Sequence, residues 1–186
     1  MRAGWPKQTG FTLVEMVVVM AIAMVLATTV MPSLQTMVQR NRMVSLHNDL
    51  VSSLSMARST AITRASNAVV CPANDPQHQQ CLNNGGNGQN VTEWEHGWLV
   101  FEDTDEDGLL DADETLVAVR NEVPTQVSLI SNAPFVRYDG DGTLLSPPLE
   151  FTFCSKQENV NKNGLLVTES GTSRSISAER ATGSCP

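Results

Sequence analysis

The sequence has none of the short motifs by which common hydrolases, zinc peptidases and nucleotide-binding enzymes are recognised. Its 186 residues contain no Gly-x-Ser-x-Gly, no His-Glu-x-x-His and no phosphate-binding glycine loop. The three histidines, His47, His78 and His96, lie far apart in the chain and suggest no catalytic triad. We therefore predict that the protein is not an enzyme.

Positive charge is scarce as well. Lys and Arg number 12 against 20 Asp and Glu, so the formal net charge is −8, and it becomes −10 if residues 1–10 are removed with Arg2 and Lys7. A surface of this sign disfavours nonspecific binding to nucleic-acid phosphates, although a local basic patch is still compatible with it.

An apolar run at residues 11–31 is the most conspicuous feature that is present. Its only polar members are Thr12, Glu15, Thr28 and Thr29, and as a helix it would be about 30 Å long, which matches the hydrocarbon core of a bilayer. The run is too long for a cleavable secretory signal and too apolar for a helix buried on one side. We predict a retained membrane helix with the short basic amino end in the cytoplasm and about 150 residues, enough for one domain, outside.

The helix is predicted to continue to residue 65. Pro32 should kink it, because a proline inside a helix removes a hydrogen bond and crowds the preceding turn. Apolar residues then recur at steps of three and four, which predicts a stripe that covers a sheet. The stripe consists of Met43, Leu46, Leu50, Leu54, Ala57 and Ala61.

After residue 65 the helical period ends, and β-branched and aromatic runs alternate with turn residues. This pattern predicts an α+β protein with strands at 67–71, 96–102, 115–120, 126–130, 135–138, 149–154, 164–168 and 173–178. The polar segment 72–93 is interpreted as a surface loop. Trp94 and Trp98 are expected to supply a core residue and a rim residue, and Asp139 and Asp141 with their glycines a tight turn.

Four cysteines form an even set that should be oxidised outside the cytoplasm. We favour a Cys71–Cys81 disulfide, which would close a short polar loop, and a Cys154–Cys185 disulfide, which would hold the chain end. The alternative is a zinc site at Cys71, His78 and Cys81, for which no fourth ligand is evident.

The segment DTDEDGLLDADE, residues 103–114, fits the calcium-loop template D-x-D-x-D-G-x5-E. Its flanks read as strands and not as helices, so a calcium site would lie at a hairpin tip, and a solvated acidic turn is the alternative. The ligands would be the carboxylates of Asp103, Asp105, Asp107, Asp111 and Glu114 with the backbone carbonyl of Leu109. We expect no other cofactor to be required.

The residues around the start of the apolar run carry a family resemblance. A short basic leader ends at Gly10, the sequence GFTLVE places an acid at the fifth position after it, and Pro32 follows near the end of the run. By these features the chain resembles a type IV pilin-like precursor, in particular the minor pilins and the type II secretion minor pseudopilins of the GspH/FimT-like class. More weakly, residues 97–120 resemble the first long hairpin of the domain that those proteins share. The resemblance implies the type IV pilin fold, a long kinked N-terminal helix packed on antiparallel β-sheets.

The resemblance also implies how the chain would be processed. A prepilin peptidase would cut between Gly10 and Phe11 and methylate the new amino group. In the assembled filament that amino group would meet Glu15 of a neighbouring subunit, and the buried pair would set the register of packed helices. The alternative is a Glu15 carboxylate that reaches the membrane edge and has no role in assembly.

These expectations divide the chain into four segments. Residues 1–10 are the leader, 11–31 the transmembrane and filament-core helix, 32–65 its amphipathic continuation and 66–186 a periplasmic β-rich domain. The precursor would be a single-pass inner-membrane protein that reaches the pilus tip after assembly.

The partners implied are other minor pilins or pseudopilins, the major pilin, the prepilin peptidase and the inner-membrane assembly platform. The leading function is a minor subunit that starts or caps a type IV pilus, and the main alternative is a minor pseudopilin of type II secretion. Some pilin-like proteins instead capture DNA through a glycine followed closely by two basic residues. Here Gly171 is followed by Arg174 and only distantly by Arg180, so DNA is an unlikely partner.

Overall fold

The computed structural model describes residues 10–75, 77, 80–82, 92–156, 162–177, 179–181 and 185, and for residues 29–33 it describes the backbone alone. Two compact units make up the chain, Met1–Val38 and Gln39–Pro186. Residues 1–9 of the leader predicted at 1–10, and His78 of the alternative zinc site, lie outside the described residues.

One long helix, α1 (Leu13–Arg64), contributes residues to both units. Its 52 residues agree with the predicted bounds to within two positions and continue past Pro32. The helix ends because Ala65 adopts a left-handed conformation with φ of 49°, and the amide of Ser66 donates to the carbonyl of Ala61 at 3.3 Å.

In the Met1–Val38 unit, every residue from 10 to 28 is exposed to solvent. Among the large apolar residues that the structure describes in this unit, Leu13 and Phe11 have the largest exposed fractions, at 80% and 79%. Over the part of the chain that the structure describes, no helix contains a stretch both long and apolar enough to cross a membrane.

The Gln39–Pro186 unit adds nine strands in its described residues. They are β1 (Asn67–Pro72), β2 (Thr92–Glu93), β3 (Trp98–Asp103), β4 (Thr115–Arg120), β5 (Val127–Ser131), β6 (Val136–Tyr138), β7 (Leu149–Ser155), β8 (Asn163–Val167) and β9 (Ser173–Ile176). They form a four-stranded sheet in the order β4-β3-β1-β6 and a five-stranded sheet in the order β2-β5-β7-β8-β9. All pairings between these strands are antiparallel.

The structure corrects the predicted strands most clearly at the start of β3 and in the segment 72–93, and the other strand ends differ from the prediction by no more than two residues. The strand predicted from residue 96 begins at Trp98, because Gly97 adopts φ of 84° and its amide closes a turn on the carbonyl of Trp94 at 3.2 Å. The segment predicted as a loop over 72–93 contains β2, which pairs with β5, and a bridge between Ala73 and Cys81. Two-residue pairings of this kind leave no alternating pattern in the sequence, which explains why they were missed.

The helical stripe from Met43 to Ala61 is buried as predicted, since none of its six members is more than 2% exposed. It packs on the aromatic side chains of both sheets in one hydrophobic cluster. Each fully buried leucine in this stripe contributes about 2 kcal/mol to the free energy of unfolding.

Trp94 and Trp98 are both fully buried, so the expected core-and-rim pair is a core pair. Their rings meet edge to face with centroids 6.3 Å apart. The indole N–H of Trp94 donates to Ser131 Oγ and that of Trp98 to Ser53 Oγ, each at 2.9 Å. The serine hydroxyls allow both indoles to be buried without an unpaired donor.

Two hairpin turns of the same geometry meet beside α1. In the first turn the amide of Gly142 donates to the Asp139 carbonyl at 2.7 Å, and in the second the amide of Gly171 donates to the Thr168 carbonyl at 2.8 Å. Both glycines have positive φ. This is a type I turn followed by a glycine bulge, so the expected turn at Asp139 and Asp141 is present. Arg58 of α1 joins the two turns, because its Nε donates to the Gly142 carbonyl at 2.9 Å and its Nη2 to the Ser170 carbonyl at 3.0 Å.

Both disulfides favoured from the sequence are present. The Cα atoms are 5.5 Å apart in Cys71–Cys81 and 5.6 Å apart in Cys154–Cys185. The bonds close segments with sequence separations of 10 and 31, for which the chain-entropy account gives about 3 and about 4 kcal/mol of stabilisation. Cys71 and Cys81 bind each other, which leaves them unavailable for the alternative zinc site.

Candidate functional site: the start of the helix and the acidic turn

The residues of the expected cleavage site lie on an open stretch of backbone. Gly10 and Phe11 precede the first helical residue, Leu13, and among the described residues a Cβ atom added to Gly10 would meet no other heavy atom within 4 Å. The backbone on both sides of the Gly10–Phe11 bond is therefore accessible to an enzyme that needs an extended substrate.

Glu15 lies in the first turn of α1. Its amide donates to Thr12 Oγ1 at 3.2 Å, and the amide of Met16 donates to the Thr12 carbonyl at 3.2 Å. Thr12 is thus the N-cap, and Thr-x-x-Glu has the spacing of a capping box, a signal that the sequence analysis overlooked. The cap fixes where the helix begins and places the Glu15 charge at the positive end of the helix dipole.

Around Glu15 the described side chains of this unit are apolar and exposed. Leu13, Val14, Met16, Val17 and Val18 are each at least half exposed. An exposed apolar surface of this extent on a single helix indicates an interaction site, and lipid or other helices would bury it. Pro32 lies in the same helix, and its side chain is outside the described set.

The acidic turn joins β3 to β4 and is held by hydrogen bonds from its own backbone. The carboxylate of Glu114 accepts from the amides of Thr104 at 2.8 Å and Asp111 at 3.1 Å. Asp105 accepts from the amide of Asp107 at 3.2 Å, and Asp107 in turn accepts from the amide of Leu109 at 2.7 Å. These side chains therefore bend the segment into a closed loop in the way that Asx turns do.

The predicted calcium ligands come together in this loop as two overlapping groups. One consists of Asp103, Asp105 and Glu114, and the other of Asp105, Asp107 and Asp111, with carboxylate oxygens within 4.8 Å of one another in each group. Several converging oxygens at such separations are what a hard divalent cation requires. Leu109, whose carbonyl was the remaining predicted ligand, lies in the same loop, where its amide is bonded to Asp107.

Asp103 is the buried member of the set, and it has a cationic partner that the sequence analysis missed. Arg137 of β6 places its Nε 3.1 Å from Asp103 Oδ2, and the Asp103 side chain is fully buried.

Burial raises the pKa of the Asp103 carboxyl, while Arg137 and the Gly108 amide oppose the increase and Asp105 and Asp107 add to it. Burial also raises the pKa of Glu114, with the amides of Thr104 and Asp111 acting against it. The only sequence signal for Arg137 was a charged residue inside a short apolar strand.

The residues weighed for DNA binding lie near the end of the chain. Gly171 occupies the bulge position of the β8–β9 turn, where its φ is 74°, so backbone geometry alone accounts for a glycine there. Arg174 lies on β9 and Arg180 beyond it, both exposed.

Two family models match the sequence of this chain. The sequence model of the family described as type II transport protein GspH matches residues 47–176, and the model of the prokaryotic N-terminal methylation motif matches residues 5–31. No protein with a curated description matches the chain.

Solved structures resemble the chain in fold. The type IV minor pilin FimU of Pseudomonas aeruginosa PAO1, in space group P21, has a TM-score of 0.56 at 16% identity over 79% of this chain and 97% of FimU. Its P65 crystal form has a TM-score of 0.50 at 17% identity over 76% and 98% of the two chains. The minor pseudopilin EpsH of the Vibrio cholerae type 2 secretion system has a TM-score of 0.46 at 14% identity over 70% and 92%. The likeness to FimU confirms the predicted pilin fold, a long helix followed by antiparallel sheets.

Proposed function

This chain belongs to the family of the type II transport protein GspH, and from that premise we propose that it is a minor subunit that starts or caps a type IV pilus. Its role is structural and it assembles through its amino-terminal helix. The observation that carries the proposal is a capped, exposed apolar helix with one acid in its first turn, at the position that the methylation motif covers.

The exposed apolar side chains after Phe11 support a membrane-anchored precursor. Residues 11–31 would lie in the inner membrane and the Gln39–Pro186 unit in the periplasm, where the two disulfides are chemically stable. After processing, the same apolar surface would be covered by the helices of other subunits.

The test of this proposal is the amino terminus of the mature protein. We expect cleavage between Gly10 and Phe11, so that intact-mass analysis of the native subunit finds residues 11–186 carrying one methyl group. A Gly10→Val variant should stay uncut, because a branched side chain crowds a backbone that must lie extended in a protease cleft. A mature native protein that still begins at Met1 would contradict the proposal.

A type II secretion minor pseudopilin is the second candidate, favoured by the description of the matching family. The two machines differ in the major subunit next to this one. A photo-cross-linker in place of Val18, within the exposed apolar stretch, should therefore join the protein to a major pilin under the first proposal and to a major pseudopilin under the second.

We also propose that the acidic turn takes up a calcium ion. The first support is the convergence of carboxylate oxygens in two overlapping groups of three acidic residues. The second is the mutual repulsion of these carboxylates, which contributes to the raised pKa values of Asp103 and Glu114. A divalent cation would relieve this repulsion. Arg137 already neutralises part of this charge. We therefore expect weak binding, with a Kd of roughly 0.1–1 mM, as in other extracellular calcium modules.

Calcium titration of the Gln39–Pro186 unit tests this expectation. At Ca²⁺ about tenfold above Kd the free energy of unfolding should rise by about 1.4 kcal/mol, and Asp105→Asn should abolish the rise. Asp113→Asn is the matched control, because Asp113 lies in the same turn but belongs to neither group. An equal loss in both variants, or no rise in the wild type, would identify the segment as a solvated acidic turn.

A further inference from the structure

A groove of about 530 Å³ lies beside α1 at the start of β9. Val51, Leu54 and Ile62 of the helix form its apolar wall, and Tyr138 and Ser173 contribute from the sheets. Ile62 is half exposed. The groove is therefore open to a partner and lies wholly within the Gln39–Pro186 unit.

The sheet edge next to the groove is unpaired in the part of the chain that the structure describes. Among the described residues β9 pairs with β8 alone. The amide of Thr168 donates to the Thr172 carbonyl at 2.9 Å, and hydrogen-bonded pairs alternate along an antiparallel ladder, so Arg174 and Ile176 are the residues that bond to β8. The amide and carbonyl groups of Ser173 and Ser175 must then point away from β8, toward the open edge.

Tyr138 adds an unpaired hydroxyl to the groove. Its side chain is fully buried, and the hydroxyl has no hydrogen-bond partner among the described residues. The nearby guanidinium of Arg58 is already engaged with the carbonyls of Gly142 and Ser170. A buried polar group without a partner is costly in the isolated subunit, and an acceptor brought by a bound molecule would remove that cost.

We propose that this groove binds an extended segment of a neighbouring pilin-like subunit, which joins β9 as an additional strand. The inference rests on the proposed function, since it requires neighbours in an assembly. An extended backbone can satisfy the outward groups of Ser173 and Ser175 and place every second side chain against Val51 and Ile62. It can also offer a carbonyl to the Tyr138 hydroxyl once that buried ring turns toward the groove that it lines. A helix or a lipid chain has no free backbone groups for the strand edge, so neither fits these observations.

Cross-linking in the full-length protein, in the bacteria that make it, tests the proposal. With p-benzoylphenylalanine at Ser59, which lines the groove, we expect adducts to a pilin-like subunit at residues spaced two apart. Adducts spaced three or four apart would indicate a bound helix and overturn the inference. The same probe at Val18 reports assembly: adducts from Val18 without any from Ser59 would overturn this inference alone, and their absence at both positions would overturn the proposed function with it.

Tyr138→Phe provides an independent measurement, because it keeps the ring and removes only the hydroxyl. The variant should raise the melting temperature of the Gln39–Pro186 unit and lower the Ser59 adduct yield about fivefold, the effect of one lost hydrogen bond. Asp113→Asn, a substitution at an exposed residue that does not line the groove, should leave the yield unchanged. A lower melting temperature for Tyr138→Phe would show that the hydroxyl already has a partner in the free subunit and would overturn the inference.

Discussion

Replacing Glu15 with alanine should lower incorporation of the subunit into filaments about a hundredfold and leave its cleavage at Gly10–Phe11 intact. In the proposed assembly the methylated amine of Phe11 is buried against the Glu15 carboxylate of a neighbour. Removing one member of a buried ion pair leaves the other charge unpaired at a cost of about 3 kcal/mol or more, which corresponds to this factor. Because Glu15 belongs to the Met1–Val38 unit, the stability of the Gln39–Pro186 unit should not change.

The measurement is the ratio of subunit in sheared filaments to subunit in the membrane fraction, by quantitative immunoblot. Glu15→Gln preserves the shape and removes the charge, so it should fail nearly as badly as alanine. Thr12→Ala is the matched control, because it removes the cap on the same helical turn and costs only about 1 kcal/mol of helix stability. If Thr12→Ala and Glu15→Ala lose the same amount, the turn geometry and not the ion pair explains the defect.

The elements that the sequence predicted are those whose burial imposes a period on the chain. The Met43 to Ala61 stripe repeats every three or four residues because one face of α1 is covered by the sheets, and β4 matches its prediction of 115–120 residue for residue. β2 was missed because a two-residue strand has no room for a period. The start of β3 was misplaced because the sequence shows that residue 97 is glycine and not which φ it adopts.

In the candidate sites, too, local features could be predicted from the sequence. Contacts among residues near one another in the chain were readable, as in the acidic turn, where a template fixes the spacing of Asp103, Asp105 and Glu114. The Thr12 cap was equally readable and was overlooked. Apart from the paired cysteines, long-range partners were not readable: the Arg137 guanidinium reaches Asp103 from β6, and Arg58 reaches two turns more than 80 residues away in the chain. Such pairs depend on strand order, for which one sequence carries no local signal.

Gly97→Ala is expected to be among the most destabilising single substitutions in the Gln39–Pro186 unit, with a loss of about 3–5 kcal/mol in the free energy of unfolding. A left-handed conformation costs a non-glycine residue about 1–3 kcal/mol, and the added Cβ would also lie 2.0 Å from the Arg120 carbonyl oxygen and 2.5 Å from that of Asn121. These are backbone atoms, so relief requires the end of β4 to move away from the start of β3. Urea unfolding measures the loss directly.

Gly142→Ala separates the two contributions to that loss. Gly142 has φ of 81°, nearly the same as the 84° of Gly97. The three heavy atoms nearest to its added Cβ would, however, be side-chain atoms of Ile62 and Arg58, at 2.6 Å or more. The Ile62 side chain is half exposed and can rotate away, so this variant should lose about 1–2 kcal/mol, mostly from the backbone conformation. The difference between the two variants then measures the rigidity of the β3–β4 pair. Equal losses of unfolding free energy in the two variants would mean that the Arg120 and Asn121 carbonyls move aside as easily as a surface side chain. The close approach at Gly97 would then not stabilise the base of the acidic hairpin.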